Sequence, residues 1–295
     1  MNAFKNILVQ LDAAQTSESV LQTALLTAKK FNGHLDVFHV HLEPSCILPV
    51  PVVSADMAGF VVNDVVQAEE KAFAANADEM RVIFEKFVEE HGLLPKTEPQ
   101  AELKEITAQF REIFGCEDEV IAWCSRVSDL TVLARPELSS PTARDTLAVL
   151  NAALMESGSA ILIAPREAPE SVGNRIMIAW DATEEAAKAV TLAMPFLTRA
   201  EEVVILETDL PNETWADSRA LARRLAWHGI KSEIVKIPET DSVSTKGAEI
   251  VRQACGRFDL LVTGAFTQST MRRWILGSMT KYLIDNADIA LFMTH

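Results

Sequence analysis

Glycine is scarce in this sequence, and several features that would define common protein classes are absent. Only 11 of its 295 residues are glycine, about half the usual frequency of ~7%, so glycine-dependent phosphate loops must be few. No apolar run reaches the ~18 residues that a membrane span needs. The start, Met1 to Gln10, is strand-like and lacks the basic and long apolar regions of a leader. We therefore expect neither a membrane span nor a secretory signal.

Motifs of several enzyme and metal-binding classes are also missing. No Cys-x-x-Cys pair occurs, which argues against a zinc knuckle and a thioredoxin-type centre. Hydrolase, metalloprotease and standard nucleotide triphosphatase functions have no support, since Gly-x-Ser-x-Gly, His-Glu-x-x-His and Gly-x-x-x-x-Gly-Lys are absent. We predict no catalytic residues and no metal. We also expect reduced, mostly buried thiols in a cytoplasmic protein, at Cys46, Cys116, Cys124 and Cys255.

The charge is acidic and unevenly distributed. The formal net charge is −15, with 26 acidic and 13 basic residues in 1–172 but 16 and 14 in 173–295. An acidic chain repels nucleic acid and anionic membrane surfaces, so we expect neither as a partner. An anionic small ligand fits the nearly neutral second part better than the first.

The chain contains an internal repeat. The apolar run that ends at Asp12 matches the run that ends at Asp181, and each is followed by small residues and a helical pattern. A second match aligns 129–163 with 259–293 without a gap, at an offset of 130 residues. Repeats of this kind indicate that two copies of one structural unit follow each other in the chain.

Each copy alternates short apolar strands with amphipathic helices, which predicts an α/β fold with parallel sheets. Strands are predicted near 5–11, 34–41, 107–113, 130–134, 160–164, 175–180, 202–207, 232–237, 259–263 and 289–293. Helices are predicted near 17–31, 62–91, 117–127, 145–156, 184–198, 213–228, 244–255 and 277–286. The prediction is two doubly wound domains, 1–168 and 173–295, each with five strands in the order 3-2-1-4-5. They would form an internal pseudo-dimer, with a homodimer of whole chains as a further option.

The best candidate site is the loop 264–278, which leaves the fourth strand of the second copy and opens its last helix. Gly264 and Gly277 would allow backbone N–H groups to approach a phosphate closely. The helix N-terminus adds unpaired donors and a positive dipole end, and Ser278 adds a hydroxyl. Asp181 ends the neighbouring strand, where its carboxylate can accept a hydrogen bond from a ribose hydroxyl.

The repeat, the strand-terminal aspartate and this loop resemble the universal stress protein family. The family's loop has a glycine, two residues, a second glycine, nine residues, and then Gly-Ser or Gly-Thr. The resemblance implies adenine nucleotide alpha hydrolase-like domains that bind ATP or AMP. Asp181, Gly264, Gly277 and Ser278 match the binding pattern. Thr267 stands where the second glycine is expected, which predicts weaker phosphate binding because a β-branched residue resists positive φ.

The first copy departs further from the family pattern. Only Asp12 is retained, whereas the glycines and the Gly-Ser pair are replaced by Ala134, Glu137, Leu147 and Ala148. The first copy also holds a long insertion. We therefore expect any nucleotide to bind in the second copy alone.

The resemblance implies a regulatory, stress-response or ligand-binding module rather than an enzyme. Two alternatives stay open: a slow ATP-hydrolysing enzyme of the same fold, and an interaction scaffold whose sites have decayed. Bound nucleotide released from the purified protein would separate a binding module from a scaffold.

Weaker candidates have a structural explanation beside a functional one. His39 and His41 share a strand face and are either metal ligands or locally hydrogen-bonded groups. Two arginines and two tryptophans would either contact a nucleotide or belong to a helix face and the core: Arg272, Arg273, Trp180 and Trp274. The apolar, proline-containing segment 42–61 is a packing loop, the lid of a ligand cavity or a membrane-contacting loop.

Overall fold

The backbone forms one large mixed α/β layer structure. The computed structural model describes residues 4–42, 46, 58–99, 105–137, 143–208, 210, 215–238, 242–265 and 277–295. Eight helices lie in this part of the chain: α1 Ala14–Phe31, α2 Ala58–His91, α3 Glu117–Ser125, α4 Ala143–Glu156, α5 Glu184–Leu197, α6 Ser218–Trp227, α7 Val243–Ala254 and α8 Ser278–Asn286.

Eleven strands of the described residues join in a single sheet. They are β1 Asn6–Gln10, β2 His34–Leu42, β3 Leu94–Pro95, β4 Thr107–Gly115, β5 Leu130–Leu133, β6 Ile161–Ile163, β7 Arg175–Trp180, β8 Glu202–Glu207, β9 Glu233–Lys236, β10 Leu260–Gly264 and β11 Ala290–Thr294. Their order is β3-β4-β2-β1-β5-β6-β11-β10-β7-β8-β9. All neighbours are parallel except β6 and β11.

Each half of this sheet has the predicted strand order. In the second half, β9-β8-β7-β10-β11 corresponds to 3-2-1-4-5, and β4-β2-β1-β5-β6 does so in the first half. The doubly wound α/β prediction is therefore confirmed. The sequence did not predict β3, a two-residue edge strand, because two residues carry no periodic signal. The division into 1–168 and 173–295 stays a prediction, and we use the two ranges as the first and second halves.

Burial on both faces of the sheet explains why the strands are continuous apolar runs in the sequence. In β7, Ile176 and Ile178 belong to the core on one face of the sheet, and Met177 and Ala179 belong to the core on the other. Strands covered by helices on both faces bury every side chain, so apolar residues are not interrupted by polar ones. Each core contains residues from both halves of the chain.

The two half-sheets meet at the antiparallel pair β6 and β11. Leu162 lies opposite Phe292, and the flanking pairs are Ile163 with Leu291 and Ile161 with Met293. At the 130-residue offset of the repeat, Leu162 is also the equivalent of Phe292. The pairing is therefore self-complementary, which is the register expected where a pseudo-twofold axis relates two copies.

Four phenylalanines extend this contact on one face of the sheet. Phe31 of the first half packs edge-on against Phe196 of the second, with ring centroids 4.9 Å apart. Phe4 lies 5.3 Å from Phe196 and 6.3 Å from Phe292. All four rings are buried. The halves thus share a core and are not separate globules joined by a linker.

The prediction of reduced thiols is wrong for two of the four cysteines. Cys46 and Cys116 form a disulfide bond across a sequence separation of 70 residues. They meet because β2 and β4 pair in register up to Leu42 opposite Gly115, so the chain leaves both strands at the same place. Cys124 and Cys255 are free and half-buried. Cysteine usage therefore gives no support to the predicted cytoplasmic location.

None of the helices in the described ranges is long and apolar enough to cross a bilayer. The apolar segment 42–61, for which a packing loop, a cavity lid and a membrane-contacting loop were the alternatives, falls mostly on residues 43–45 and 47–57, which lie outside the described residues. Its end does differ from the prediction, because α2 begins at Ala58 and not near residue 62.

Candidate functional site

A cavity of about 400 Å³ opens at the carboxyl ends of β7, β8 and β10. Polar groups line it from several elements: Asp181, Thr183, Thr208, Lys246, Thr263, Ser278 and Thr280. The rest of the lining is apolar or glycine: Ala179, Leu210, Val243, Ile250, Gly264, Gly277 and Met279. A small number of polar groups within an apolar wall is the usual composition of a small-molecule site.

The four residues predicted from the sequence all line this one cavity. Asp181 lies directly after β7, and Gly264 is the last residue of β10. Gly277 is the N-cap of α8, and Ser278 is its first residue. Four positions spread over almost 100 residues are thus brought to one place. Thr267, Arg272, Arg273 and Trp274 lie outside the described residues.

The sheet topology explains why the cavity is here. The strands β7 and β10 are neighbours, yet the helices that follow them pack on opposite faces. Residues of α5 such as Ala189 belong to one core, whereas Leu283 and Ile284 of α8 belong to the other. The chain therefore leaves the two strands in opposite directions and opens a crevice between them. This is the switch point at which doubly wound sheets bind ligands.

Asp181 is held by the start of α5. Its Oδ1 accepts hydrogen bonds from the Thr183 hydroxyl at 2.6 Å and from the Thr183 N–H at 3.1 Å. The Thr183 hydroxyl oxygen in turn accepts the N–H of Ala186 at 3.2 Å and caps the helix. Within the described residues, Oδ2 of Asp181 has no hydrogen-bond partner. One carboxylate oxygen thus fixes the turn, and the other is available to a ligand.

Ala182 adopts a left-handed backbone conformation between Asp181 and the α5 cap, with φ of 62°. This conformation costs an L-residue roughly 1–2 kcal/mol, whereas glycine costs about 0.5–1 kcal/mol of entropy. We expect Ala182→Gly to raise the free energy of unfolding by about 0.5–1 kcal/mol, measured by urea denaturation. Ala187→Gly, inside α5, is the control and should lower it by about 1 kcal/mol. Equal destabilisation by both changes would contradict the strain at Ala182.

Gly264 has a packing role that does not depend on a ligand. A Cβ at this position would lie 2.7 Å from the backbone nitrogen of Ala186, closer than real contacts allow. Glycine therefore lets the start of α5 approach the end of β10. Gly277 has ordinary dihedral angles, φ −56° and ψ 148°, and caps α8 without a side-chain hydrogen bond. The first turn of α8 thus lines the cavity, and its N-cap residue has no side chain to accept from the helix N–H groups.

Lys246 is a charged lining residue that was not predicted from the sequence. It lies on α7, where Val243, Lys246 and Ile250 all reach the cavity. Their spacing of three and four residues is that of one helix face. A lysine that interrupts the apolar stripe of a buried helix face was the available signal. It supplies a positive charge to the cavity that Asp181 also lines.

The equivalent place in the first half is almost filled. A space of about 10 Å³ remains between Gln10, Asp12, Ala134 and α4, enough for at most one water molecule. Ser278 corresponds to Ala148 at the repeat offset, but α4 already begins at Ala143, so helix covers the residues that are equivalent to the last part of the ligand loop.

The retained Asp12 is enclosed in this filled place. Its Oδ1 accepts a hydrogen bond from the Thr16 hydroxyl at 3.3 Å, and burial raises the pKa of its carboxyl group. Glu137, predicted to lie where phosphates would be, is exposed to solvent. The strand-terminal aspartate alone therefore does not make a cavity.

The weaker candidates have local partners. His39 Nδ1 lies 2.7 Å from the Leu11 carbonyl oxygen, and His41 Nε2 lies 2.8 Å from Glu112. No group of three or more potential metal ligands occurs in the part of the chain that the structure describes. Trp180 is buried and donates its Nε1–H to the Ala216 carbonyl at 2.9 Å, so its ring belongs to the core.

Comparison with known proteins gives a match in structure but not in sequence. No family model and no curated protein matches the chain. A universal stress protein from Archaeoglobus fulgidus DSM 4304 superposes with a TM-score of 0.67 at 16% identity, over 98% of this chain and 97% of that one. A putative universal stress protein from Pseudomonas aeruginosa UCBPP-PA14 gives 0.56 at 15% identity, over 99% and 93%. The chain therefore has the universal stress protein fold over almost its whole length.

Proposed function

We propose that this protein is a regulatory module of the universal stress protein type whose second half binds an adenine nucleotide, AMP or ATP. One observation carries the proposal. Asp181, Gly264, Gly277 and Ser278, identified by their match to a nucleotide-binding pattern, line one cavity at the switch point of the sheet. The regulatory, stress-linked role and the cytoplasmic location are supported by the likeness in fold and sequence pattern alone.

The electrostatics of the cavity favour a phosphate group. The N-terminus of α8 directs its positive dipole end to the cavity at Gly277 and Ser278, and Lys246 adds a full positive charge. The Ser278 hydroxyl provides a further donor, whereas the hydroxyls of Thr208 and Thr263 already donate to the carbonyl oxygens of Trp180 and Gly264. Anion binding at this place agrees with the charge distribution, since the acidic excess lies in the first half.

The remaining lining suits a nucleoside. Leu210, Val243, Ile250 and Met279 form an apolar wall that a base can contact. The available oxygen of Asp181 can accept a hydrogen bond from a ribose hydroxyl. The volume of about 400 Å³ lies within the ~300–1,000 Å³ range of small-molecule sites. One nucleotide per chain is expected, because the space at Asp12 is too small.

Hydrolysis of ATP is the less favoured function. A hydrolase needs a base or a metal-holding carboxylate beside the phosphates. Among the described lining residues the one carboxylate is Asp181, and its Oδ1 is engaged with Thr183. The proposal is therefore a binding module, and an empty interaction scaffold is the outcome that a binding experiment would reveal.

Ser278→Asp tests the site without disturbing the fold. An aspartate in the first turn of α8 stabilises the helix, but it takes up the N-terminal donors and repels a phosphate. We expect calorimetric titration with AMP and ATP to show one site per wild-type chain, and affinity at least about tenfold lower in Ser278→Asp, the loss of one charge-assisted hydrogen bond.

The matched control is Ala148→Asp, which places the same charge at the equivalent, exposed position of the first half. It should leave the affinity unchanged. If neither nucleotide binds to the wild-type protein, the chain is a scaffold. Equal affinities in wild type and Ser278→Asp would put the nucleotide at another place.

A further inference from the structure

A buried arginine of the first half reaches into the second half. Arg135 follows β5 and is only 6% exposed. Its Nη1 donates to the carbonyl oxygens of Ile284 at 2.7 Å and Leu283 at 3.4 Å, and its Nη2 donates to that of Ile289 at 2.7 Å. These carbonyls belong to the last turn of α8 and to the chain just beyond it. Arg135 thus caps the C-terminal end of a helix in the other half.

The charge of Arg135 suits this position. The last carbonyl groups of a helix lack helical partners and carry the negative end of its dipole. Burial lowers the pKa of Arg135 to about 10, so the guanidinium is still charged at neutral pH. A buried cation with two hydrogen bonds of 2.7 Å to fixed backbone oxygens has little freedom to move.

The opposite end of the same helix forms the candidate nucleotide site. The helix α8 has nine residues and is therefore about 13 Å long. Gly277 and Ser278 at its start line the cavity, and Leu283 and Ile284 near its end accept from Arg135. A helix this short moves as one body, so a group that fixes its last turn also fixes the direction of its first N–H groups.

We infer that Arg135 is a positioning residue through which the first half sets the nucleotide affinity of the second, an inference that rests on the proposed function. The place in the first half that is equivalent to the cavity is almost filled. Arg135 directly follows Ala134, the first-half equivalent of Gly264. The relation is one-sided. The residue equivalent to Arg135 in the second half is Ala265, and the C-terminal Glu156 carbonyl of α4 accepts from Arg126 of its own half.

Arg166 provides a matched control. It also comes from the first half, and its Nη2 donates to the Asp285 carbonyl of α8 at 2.8 Å. Its side chain is 45% exposed, however, and its ion pair with Asp288 is longer, at 3.7 Å. An exposed contact of this kind contributes little to positioning. Arg135 and Arg166 therefore differ in burial while they contact the same helix end.

The test compares Arg135→Met, Arg135→Lys and Arg166→Met by hydrogen exchange and by AMP titration. In Arg135→Met we expect amide exchange in α8 to rise at least about tenfold, the equivalent of one lost charge-assisted hydrogen bond, without a rise in α5. The affinity for AMP should fall by a similar factor. Arg135→Lys should show a smaller rise of α8 exchange and a smaller loss of AMP affinity than Arg135→Met, since an ammonium group can still donate to the carbonyls. Arg166→Met should change neither.

Each result has a defined meaning. Unchanged α8 exchange in folded Arg135→Met, or the same change in Arg166→Met, overturns the inference. A rise of exchange in α5 as large as in α8 also overturns it, because that is general destabilisation. If Arg135→Met does not fold, Arg135→Lys decides, and wild-type exchange and affinity in that variant contradict the inference. Absence of AMP binding to wild type refutes the proposed function, while the exchange data still judge the role of Arg135 in holding α8.

Discussion

Replacing Phe196 with alanine is expected to lower the free energy of unfolding by about 3–5 kcal/mol. The Phe196 ring is completely buried, and it contacts Phe4 and Phe31 of the first half as well as Phe292 of its own half. Its removal leaves a cavity in the core that both halves share. Because the two halves lose the same contacts, thermal unfolding should stay a single transition at a lower temperature.

Phe114→Ala is the control for this prediction. Phe114 is 69% exposed, and its main contact is the stacked ring of His41 at 4.7 Å. Loss of that stacking should lower the free energy of unfolding by no more than about 1 kcal/mol. Calorimetry of both variants measures the difference. Two separate transitions in Phe196→Ala, one of them at the wild-type temperature, would mean that the first half folds independently of the shared core.

Cys116→Ser is expected to lower the free energy of unfolding by about 4 kcal/mol. The disulfide between Cys46 and Cys116 spans 70 residues. A cross-link over a loop of this length reduces the entropy of the unfolded chain, which raises the free energy of unfolding by about 4 kcal/mol at 25 °C. The segment it closes contains α2, β3 and β4, so reduction releases a large part of the first half in the unfolded state.

Wild-type protein treated with dithiothreitol should show the same decrease in the free energy of unfolding. The stability of Cys116→Ser should not change further when the reductant is added. Cys124→Ser is the control, since Cys124 is free and half-buried. It should stay within about 1 kcal/mol of wild type and keep its sensitivity to reductant. A melting temperature that reductant does not change would show that the cross-link is absent in solution or that it does not stabilise the fold.

The sequence by itself determined ten of the eleven described strands, the repeat and the candidate site. Ile176 to Trp180 was recognisable as a strand because side chains buried on both faces of a parallel sheet leave an uninterrupted apolar run. Gly264, Gly277 and Ser278 were recognisable because their types and spacing resemble the loop pattern of universal stress proteins, and Asp181 because it directly follows an apolar strand. Their convergence followed from topology, since parallel strands bring their carboxyl ends to one edge.

Contacts between distant segments were decided by the tertiary structure alone. The disulfide depends on the end-to-end register of β2 and β4, and a count of cysteines does not contain that register. The cap that Arg135 forms on α8 depends on the antiparallel junction of β6 and β11, which brings the first half to that helix. The closed space at Asp12 depends on the early start of α4. Local patterns report which face of an element is buried, whereas the partner across that face is chosen by packing in three dimensions.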